Sequence, residues 1–234
     1  MTDERFYNQT GRKIIVTGHY GSGKTEFSVS LAMLMAAEHA GELAIIDLDI
    51  VNPYFRSRER RDLLEKAGVS VYGSAFDAEV TAELPALSAS LRAPLEDAGC
   101  RVIVDAGGND SGALVLNQFG KYFDDDETTV LTVVNASRPE TSKLDGALEH
   151  ISSIESITGL TVHGIVNNSH MARETTVETV TRGHELCKEI CNVTGKRLYC
   201  DCYADGIVNP DDLSGLSGGL MPIGLYMRPT WLDK

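Results

Sequence analysis

The sequence predicts a three-layer α/β fold, a mainly parallel sheet with helices on both faces. Three observations predict it. Short apolar runs such as Ile14-Ile15-Val16 and Val102-Ile103-Val104 show no polar alternation, which marks strands buried on both sides. These runs alternate with stretches of helical period and ordinary length. The first run leads directly into Gly18-His19-Tyr20-Gly21-Ser22-Gly23-Lys24-Thr25, a glycine-rich turn that opens a helix. A chain of 234 residues is long enough for one such domain, expected over 1–234.

In chain order, Lys13 to Thr17 is the first strand. A helix follows from Thr25 to His39, with Phe27, Leu31, Leu34 and Met35 on one face and Ala40-Gly41 ending it. Leu43 to Leu48 is a second buried strand that runs into Asp47-Leu48-Asp49. The alternate spacing projects both carboxylates to one side at the strand's C-terminal end, where open α/β sheets bind ligands. Asn52-Pro53-Tyr54 breaks the chain, Arg56 to Glu65 reads as a helix, and Val69 to Tyr72 as a short strand. Between Ser74 and Pro94, Pro85 and Pro94 bracket either a helix or a partner-facing segment. Arg101 to Asp105 is the next buried strand, followed by a helix over Ala113 to Phe123 that Asp110 or Ser111 would cap. The acidic run Asp124 to Glu127 reads as a solvated loop. Thereafter come a strand (Thr129–Asn135), a helix (Pro139–Ile157), a strand (Val162–Asn167), a helix (about Glu174–Cys191) and a strand (Arg197–Cys202). The tail after Pro210 would pack as a final edge element.

The spacing G-x-x-x-x-G-K-[ST] on a strand, loop and helix is a cradle for nucleotide phosphates. Glycines let backbone N–H groups turn inward, Lys24 supplies a point charge for the β and γ oxygens, and Thr25 offers a hydroxyl to Mg²⁺. Asp105, at the tip of an apolar strand, is the carboxylate such a site needs near its ion. Gly108 can bring a backbone N–H to a γ-phosphate.

Lys+Arg 21 against Asp+Glu 34 gives a net charge of −13. That balance argues against nucleic acid and anionic membranes as partners, since both require clustered positive charge. The polar stretch Met1 to Thr10 and the absence of any bilayer-length apolar run lead us to expect a soluble, cytoplasmic protein. Five cysteines with no export signal argue against a disulfide framework. Cys187 and Cys191 share a helix face, and Cys200 and Cys202 share a strand face. The two pairs could converge on Zn²⁺ or an iron–sulfur cluster, but neither has the C-x₂-C spacing usual for structural zinc, so core packing is the favoured reading. His163, His170 and His184 show no organised spacing.

With the phosphate loop, Asp47-x-Asp49 and Asp105-x-x-Gly108 in this order, the sequence resembles the MinD/ParA-like P-loop ATPases of the SIMIBI class, a group that includes nitrogenase iron protein and metallocentre-maturation ATPases. In the wording GHYGSGKTE, DLDIVNPYFRSRE, DAGGND and GIVNN it looks like an ATP-binding bacterial family of that group. The resemblance implies that Asp49 lies near the Mg²⁺ shell and orients the attacking water, that Asp105 is the Walker B aspartate, and that Gly108 is the switch glycine. Asp47 is more simply a carboxylate held by a neighbouring backbone. Relatives with the deviant loop carry a signature lysine where this chain has His19, a shorter and mostly neutral side chain. A homodimer around sandwiched ATP is therefore open, with Arg56, Arg58 or Arg138 as alternative sources of charge.

Guanine-specific loops place a carboxylate after the late strand, as Asn-Lys-x-Asp, to accept hydrogen bonds from the base edge. Here the place reads Asn167-Asn168-Ser169-His170, so adenine is favoured. Asn167 would hydrogen-bond the adenine edge by resemblance, Asn168 would form a turn, and Tyr203-Ala204-Asp205 lies where relatives wrap the base. The expected nucleotide-binding set is Gly18, Tyr20, Gly21, Ser22, Gly23, Lys24, Thr25, Glu26, Gly108 and Asn167. Lys24, Asp49 and Asp105 are the expected catalytic residues, and Thr25, Asp49 and Asp105 the expected surroundings of Mg²⁺. The function expected is a Mg-ATP-dependent ATPase that switches conformation to act on a protein partner. The alternatives are a small-molecule kinase with Arg56 to Arg61 as its lid, and an ATPase that delivers a metal or cofactor.

Overall fold

The computed structural model describes residues 5–38, 41–49, 57–73, 91–108 and 110–227. Eight strands form one sheet: β1 (Lys13–Thr17), β2 (Glu42–Asp47), β3 (Val69–Gly73), β4 (Cys100–Asp105), β5 (Thr128–Val134), β6 (Gly164–Asn167), β7 (Arg197–Ala204) and β8 (Gly219–Ile223). Their order is β3-β2-β4-β1-β5-β6-β7-β8, and every neighbouring pair is parallel. The helices are α1 (Lys24–Glu38), α2 (Arg61–Lys66), α3 (described over 91–96), α4 (Asp110–Gln118), α5 (Leu144–Thr158) and α6 (Val177–Thr194).

The period of two along each strand divides the core into two layers. Ile15, Ala44, Ile46 and Val104 face Leu116 of α4, Ile151 and Ile154 of α5, and Ile190 of α6. Ile14, Val16, Ile45 and Ile103 face Phe27, Leu31 and Met35 of α1, and Leu64 of α2. Phe6 and Tyr7 join this second layer, so the stretch read as a polar N-terminus contributes two core side chains. Lys13 opens the buried β1 with its ammonium paired to Asp125 and donating to the Tyr122 carbonyl. That pairing gives one member of the acidic run a structural role, since a buried ammonium needs a counter-charge.

Several element ends differ from the sequence expectation, each for a local reason. The helix expected from Pro139 begins at Leu144, because Pro139–Thr141 forms a 3₁₀ turn that the Thr141 hydroxyl ties to the Asn135 carbonyl. A Thr176–Thr179 capping box sets the start of α6, and Gly195, at φ 70°, carries the chain beyond its end. The helix expected to reach Phe123 stops at Gln118 and gives way to a 3₁₀ turn, Gly120–Tyr122. Ser57–Arg60 is likewise 3₁₀ before α2. The break at Asn52-Pro53-Tyr54, Arg56, the side chains of Arg58, Asp110 and Ser111, and the segment around Pro85 lie outside the described residues. The glycine-rich tail supplies β8, which pairs with β7 at the sheet edge. Among the described residues no helix is long and apolar enough to cross a membrane.

Candidate nucleotide site

Because all eight strands run the same way, their C-terminal ends share one edge. Asp47 of β2 lies in register with Asp105 of β4, and Asp105 in register with Val16 of β1. The loop leaving β1 therefore passes beside both strand tips. It turns with the Ser22 N–H donating to the His19 carbonyl at 3.0 Å, and α1 starts with Phe27 N–H donating to Gly23 at 2.9 Å. Gly23 has φ 84°, and a Cβ there would sit 2.4 Å from Asn168 Nδ2. Only glycine fits that conformation and that space.

Lys24 is buried at the head of α1, as are Thr25, Asp47, Asp49 and Asp105. A Cβ on Gly108 would lie 2.3 Å from the Gly18 carbonyl oxygen and 2.6 Å from Lys24 Nζ. The loop after β4 is thus pressed against the phosphate loop with the lysine ammonium between them. Burial pulls the Lys24 ammonium below its ordinary range, against the opposing fields of Asp105 and Asp49. Burial, and then the Asp47 carboxylate, push Asp105 up to about 8, while Lys24 and a hydrogen bond from Thr25 hold it down. Ser28 donates to Asp105 Oδ1 at 3.4 Å, whereas Oδ2 is buried with no hydrogen-bond partner. Asp47 Oδ1 accepts the Asp49 N–H at 3.1 Å, the backbone-held role its position suggested.

Among the described residues the Lys24 ammonium lies in the fields of Asp105 and Asp49, and one buried oxygen of Asp105 has no hydrogen-bond partner. That orphaned carboxylate oxygen fits a divalent cation. No group of three His, Cys, Asp or Glu among the described residues could hold a metal unaided. Mg²⁺ suits such a sparse donor set, because it takes one or two protein ligands and completes its shell with water and phosphate oxygens.

Beside the loop opens a cavity of roughly 440 Å³. Its walls come from the loop (Tyr20, Gly21, Gly23), the head of α1 (Lys24, Thr25, Glu26), the turn after β6 (Asn168, Ser169, His170) and the ends of β7 and β8. Tyr203 and Ala204 line it, in the place where the sequence put the base. Arg138 donates from Nε to the Gly21 carbonyl at 2.8 Å, so among the three candidate arginines it is the one described at the loop.

Two expected ligands are otherwise engaged. Asn167 is fully buried beneath α6, donating to the Val180 carbonyl at 3.0 Å and to Asp201 Oδ1 at 2.7 Å, and accepting from Ser169 N–H at 3.1 Å. It forms the turn and does not reach the cavity. Asn168, expected to turn, instead lines the cavity and donates to the carbonyls of Ser22 and Gly23 at 3.0 and 3.4 Å. The chain alternates sides at the end of β6, so Asn167 is turned beneath α6 and Asn168 toward the loop and cavity. Glu26 borders the cavity, but its carboxylate accepts the backbone N–H groups of Tyr226 and Met227.

Sequence reasoning missed His150. This α5 residue packs edge-on to His19, with ring centroids 5.5 Å apart, and burial, His19 and Lys24 together pull its pKa to about 4. One helical histidine in an unremarkable stretch carries no local signal of such proximity. His170, dismissed for lack of spacing, lines the cavity and is pulled to about 4 by burial and Arg138. Its Nδ1 accepts the Ala172 N–H at 3.3 Å.

The cysteine pairs do not converge. Cys187 and Cys191 pack in the layer of α4 to α6, Cys200 and Cys202 in the layer of α1. Burial raises the thiols of Cys187 and Cys202 well above their ordinary value, which disfavours the thiolate a metal requires. In the lid candidate, Arg61 donates to Glu65 and to the Val71 carbonyl, bonds that tie it to α2 and β3.

No family model matches the chain, and neither does any curated protein. Solved structures do. FtsY, a cell division protein of Thermotoga maritima, is 20% identical over 80% of this chain and 60% of its own, with a TM-score of 0.56. The signal recognition particle 54 kDa protein of Aeropyrum pernix, solved in complex with GDP, is 22% identical over 84% of this chain and 43% of its own, with a TM-score of 0.54. Chloroplast FtsY from Physcomitrella patens is 16% identical over 85% and 60%, at 0.55. This chain thus spans between about two fifths and three fifths of those proteins' lengths. At such identities the likeness concerns the backbone, and it shows that this chain has their three-layer P-loop fold.

Proposed function

We propose that the protein is a Mg²⁺-dependent ATPase of the MinD/ParA-like kind, in which nucleotide turnover moves the segments after Asp49 and Asp105 and so acts on a protein partner. The observation that carries this reading is the close approach of Gly108 to Lys24 Nζ, with no room for a Cβ between them, together with the unpartnered Asp105 oxygen, because it joins a phosphate-binding charge, a cation position and the loop after β4 in one site. Lys24 and the loop amides stabilise charge developing on the γ-phosphate. Thr25 and Asp105 would hold the cation, which supplies neutralisation of the β and γ oxygens when bound. Asp49, whose Oδ1 lies 3.4 Å from where a Cβ on Gly107 would stand, holds water for in-line attack.

Adenine is supported by the cavity wall. Among the described residues that line it, the one carboxylate is that of Glu26, which already accepts two backbone N–H groups and is not available to a guanine edge. The A. pernix structure contains GDP, so competition between ATP and GTP is the direct check of the base. Isothermal titration of Lys24→Ala tests the central assignment: ATP affinity should be lost, and undiminished binding would overturn it. Released phosphate, with no transfer to an acceptor, separates hydrolysis from the kinase alternative.

A further inference from the structure

The chain leaving β8 makes the far wall of the cavity, and its attachment is unusual. Ile223 ends β8, and Ile223, Leu225 and Met227 all line the cavity. Leu225 has φ 52°, a left-handed conformation that a leucine adopts only where surrounding contacts impose it. Those contacts come from α1. The Gly224 N–H donates to Ser30 Oγ at 3.2 Å, Met227 N–H donates to Glu26 Oε2 at 2.9 Å, and Tyr226 N–H donates to Glu26 Oε1. One half-buried carboxylate thus takes two successive N–H groups from residues two hundred positions away. The preceding residue, Thr25, faces the phosphate end of the same cavity.

We propose that residues 224–227 form a strap that closes on the apolar face of the nucleobase, and that Glu26 is its latch, a positioning residue that holds the strap against the head of α1. This deepens the function proposed above and rests on it. The chemistry is specific to the occupant: Leu225, Met227 and Ile223 offer an apolar slot suited to a flat heteroaromatic ring, whereas phosphates are served by the glycine-rich loop and Lys24. A carboxylate holding two N–H groups fixes the strap without contributing a ligand atom of its own.

The test compares ATP with inorganic tripolyphosphate, which carries the phosphates without the base. By isothermal titration with Mg²⁺, Glu26→Ala should bind ATP at least about tenfold more weakly than the parent, the loss expected when hydrogen bonds to a charged acceptor are removed, and should bind tripolyphosphate unchanged. Leu225→Gly keeps the left-handed backbone without strain and removes only the side chain. It should show the same split with the fold intact, as judged by an unchanged circular dichroism spectrum. Glu26→Gln, which retains one acceptor oxygen, should recover part of the ATP affinity. Equal ATP affinity in the parent, Glu26→Ala and Leu225→Gly would overturn the strap, and so would an equal loss for ATP and tripolyphosphate. A parent protein that binds neither ligand would instead overturn the function proposed above.

Discussion

His19 of the phosphate loop stacks edge-on against His150 of α5 in the same chain, with ring centroids 5.5 Å apart and planes at 75°. His19 occupies the loop position at which the sequence resemblance leads one to expect a lysine. Here the side chain is turned onto its own α5, and its Nδ1 lies 3.1 Å from the Tyr20 carbonyl. The loop tip is therefore packed from within, with Arg138 bonded to Gly21 alongside it.

That contact has a measurable pH signature. The folded state holds His150 neutral down to about 4, while the unfolded chain protonates near 6.5, so His150 costs stability as pH falls through that window. Asp105, raised to about 8, has the opposite sign: its contribution favours the folded state at low pH and fades as pH rises toward 8. The two are separated by a difference measurement. Denaturant unfolding of the parent and His150→Gln should show the variant gaining about 2 kcal/mol relative to the parent between pH 7 and pH 5. A difference that stays constant with pH would contradict the buried neutral imidazole.

Gly108→Ala tests the closeness of the two loops. Its Cβ meets a backbone carbonyl at 2.3 Å and the Lys24 ammonium at 2.6 Å, so the loops must separate. The expected cost is about 1–3 kcal/mol of stability, read as a lower unfolding midpoint. Phosphate release should fall by more than ATP affinity, because the γ-phosphate end is displaced.

Asn168 pins the loop by donating to the Ser22 and Gly23 carbonyls. Asn168→Asp should be worse than Asn168→Ala, since it sets carboxylate oxygens against two carbonyl oxygens, with a loss of about 1–3 kcal/mol for the alanine form. Thermal unfolding of both variants checks the order.

For Asp105→Asn, the apoprotein should become more stable at pH 9, because a buried charge repelled by Asp47 has been removed. Each kcal/mol relieved should raise the midpoint by about 2–4 °C. The same variant should lose the enhancement of ATP binding by Mg²⁺, measured by titration with and without a chelator.

Local rules made much of this protein legible. The phosphate loop, the apolar strands and the acidic residues at their tips are set by spacing over a few residues, and the parallel sheet places Asp47, Asp105 and the loop on one edge as that spacing implies. Gly108 was readable for the same reason, three residues past a strand tip.

What spacing alone left undecided was which way neighbouring side chains face and what distant segments bring to them. Asn167 and Asn168 are indistinguishable as a dipeptide, and the pleat sends one to Asp201 beneath α6 and the other to the loop. Two cysteine pairs that could share a metal on paper are placed in opposite layers by the sheet between them. The sequence by itself determined that this chain sets a glycine-rich loop and a lysine at the edge of an α/β sheet, because that requires only glycine freedom, one lysine and a buried strand. The tertiary structure alone decided that Glu26 serves the chain at Tyr226 and Met227 and that His150 sits beneath His19, because burial and hydrogen-bond satisfaction are settled by partners remote in sequence.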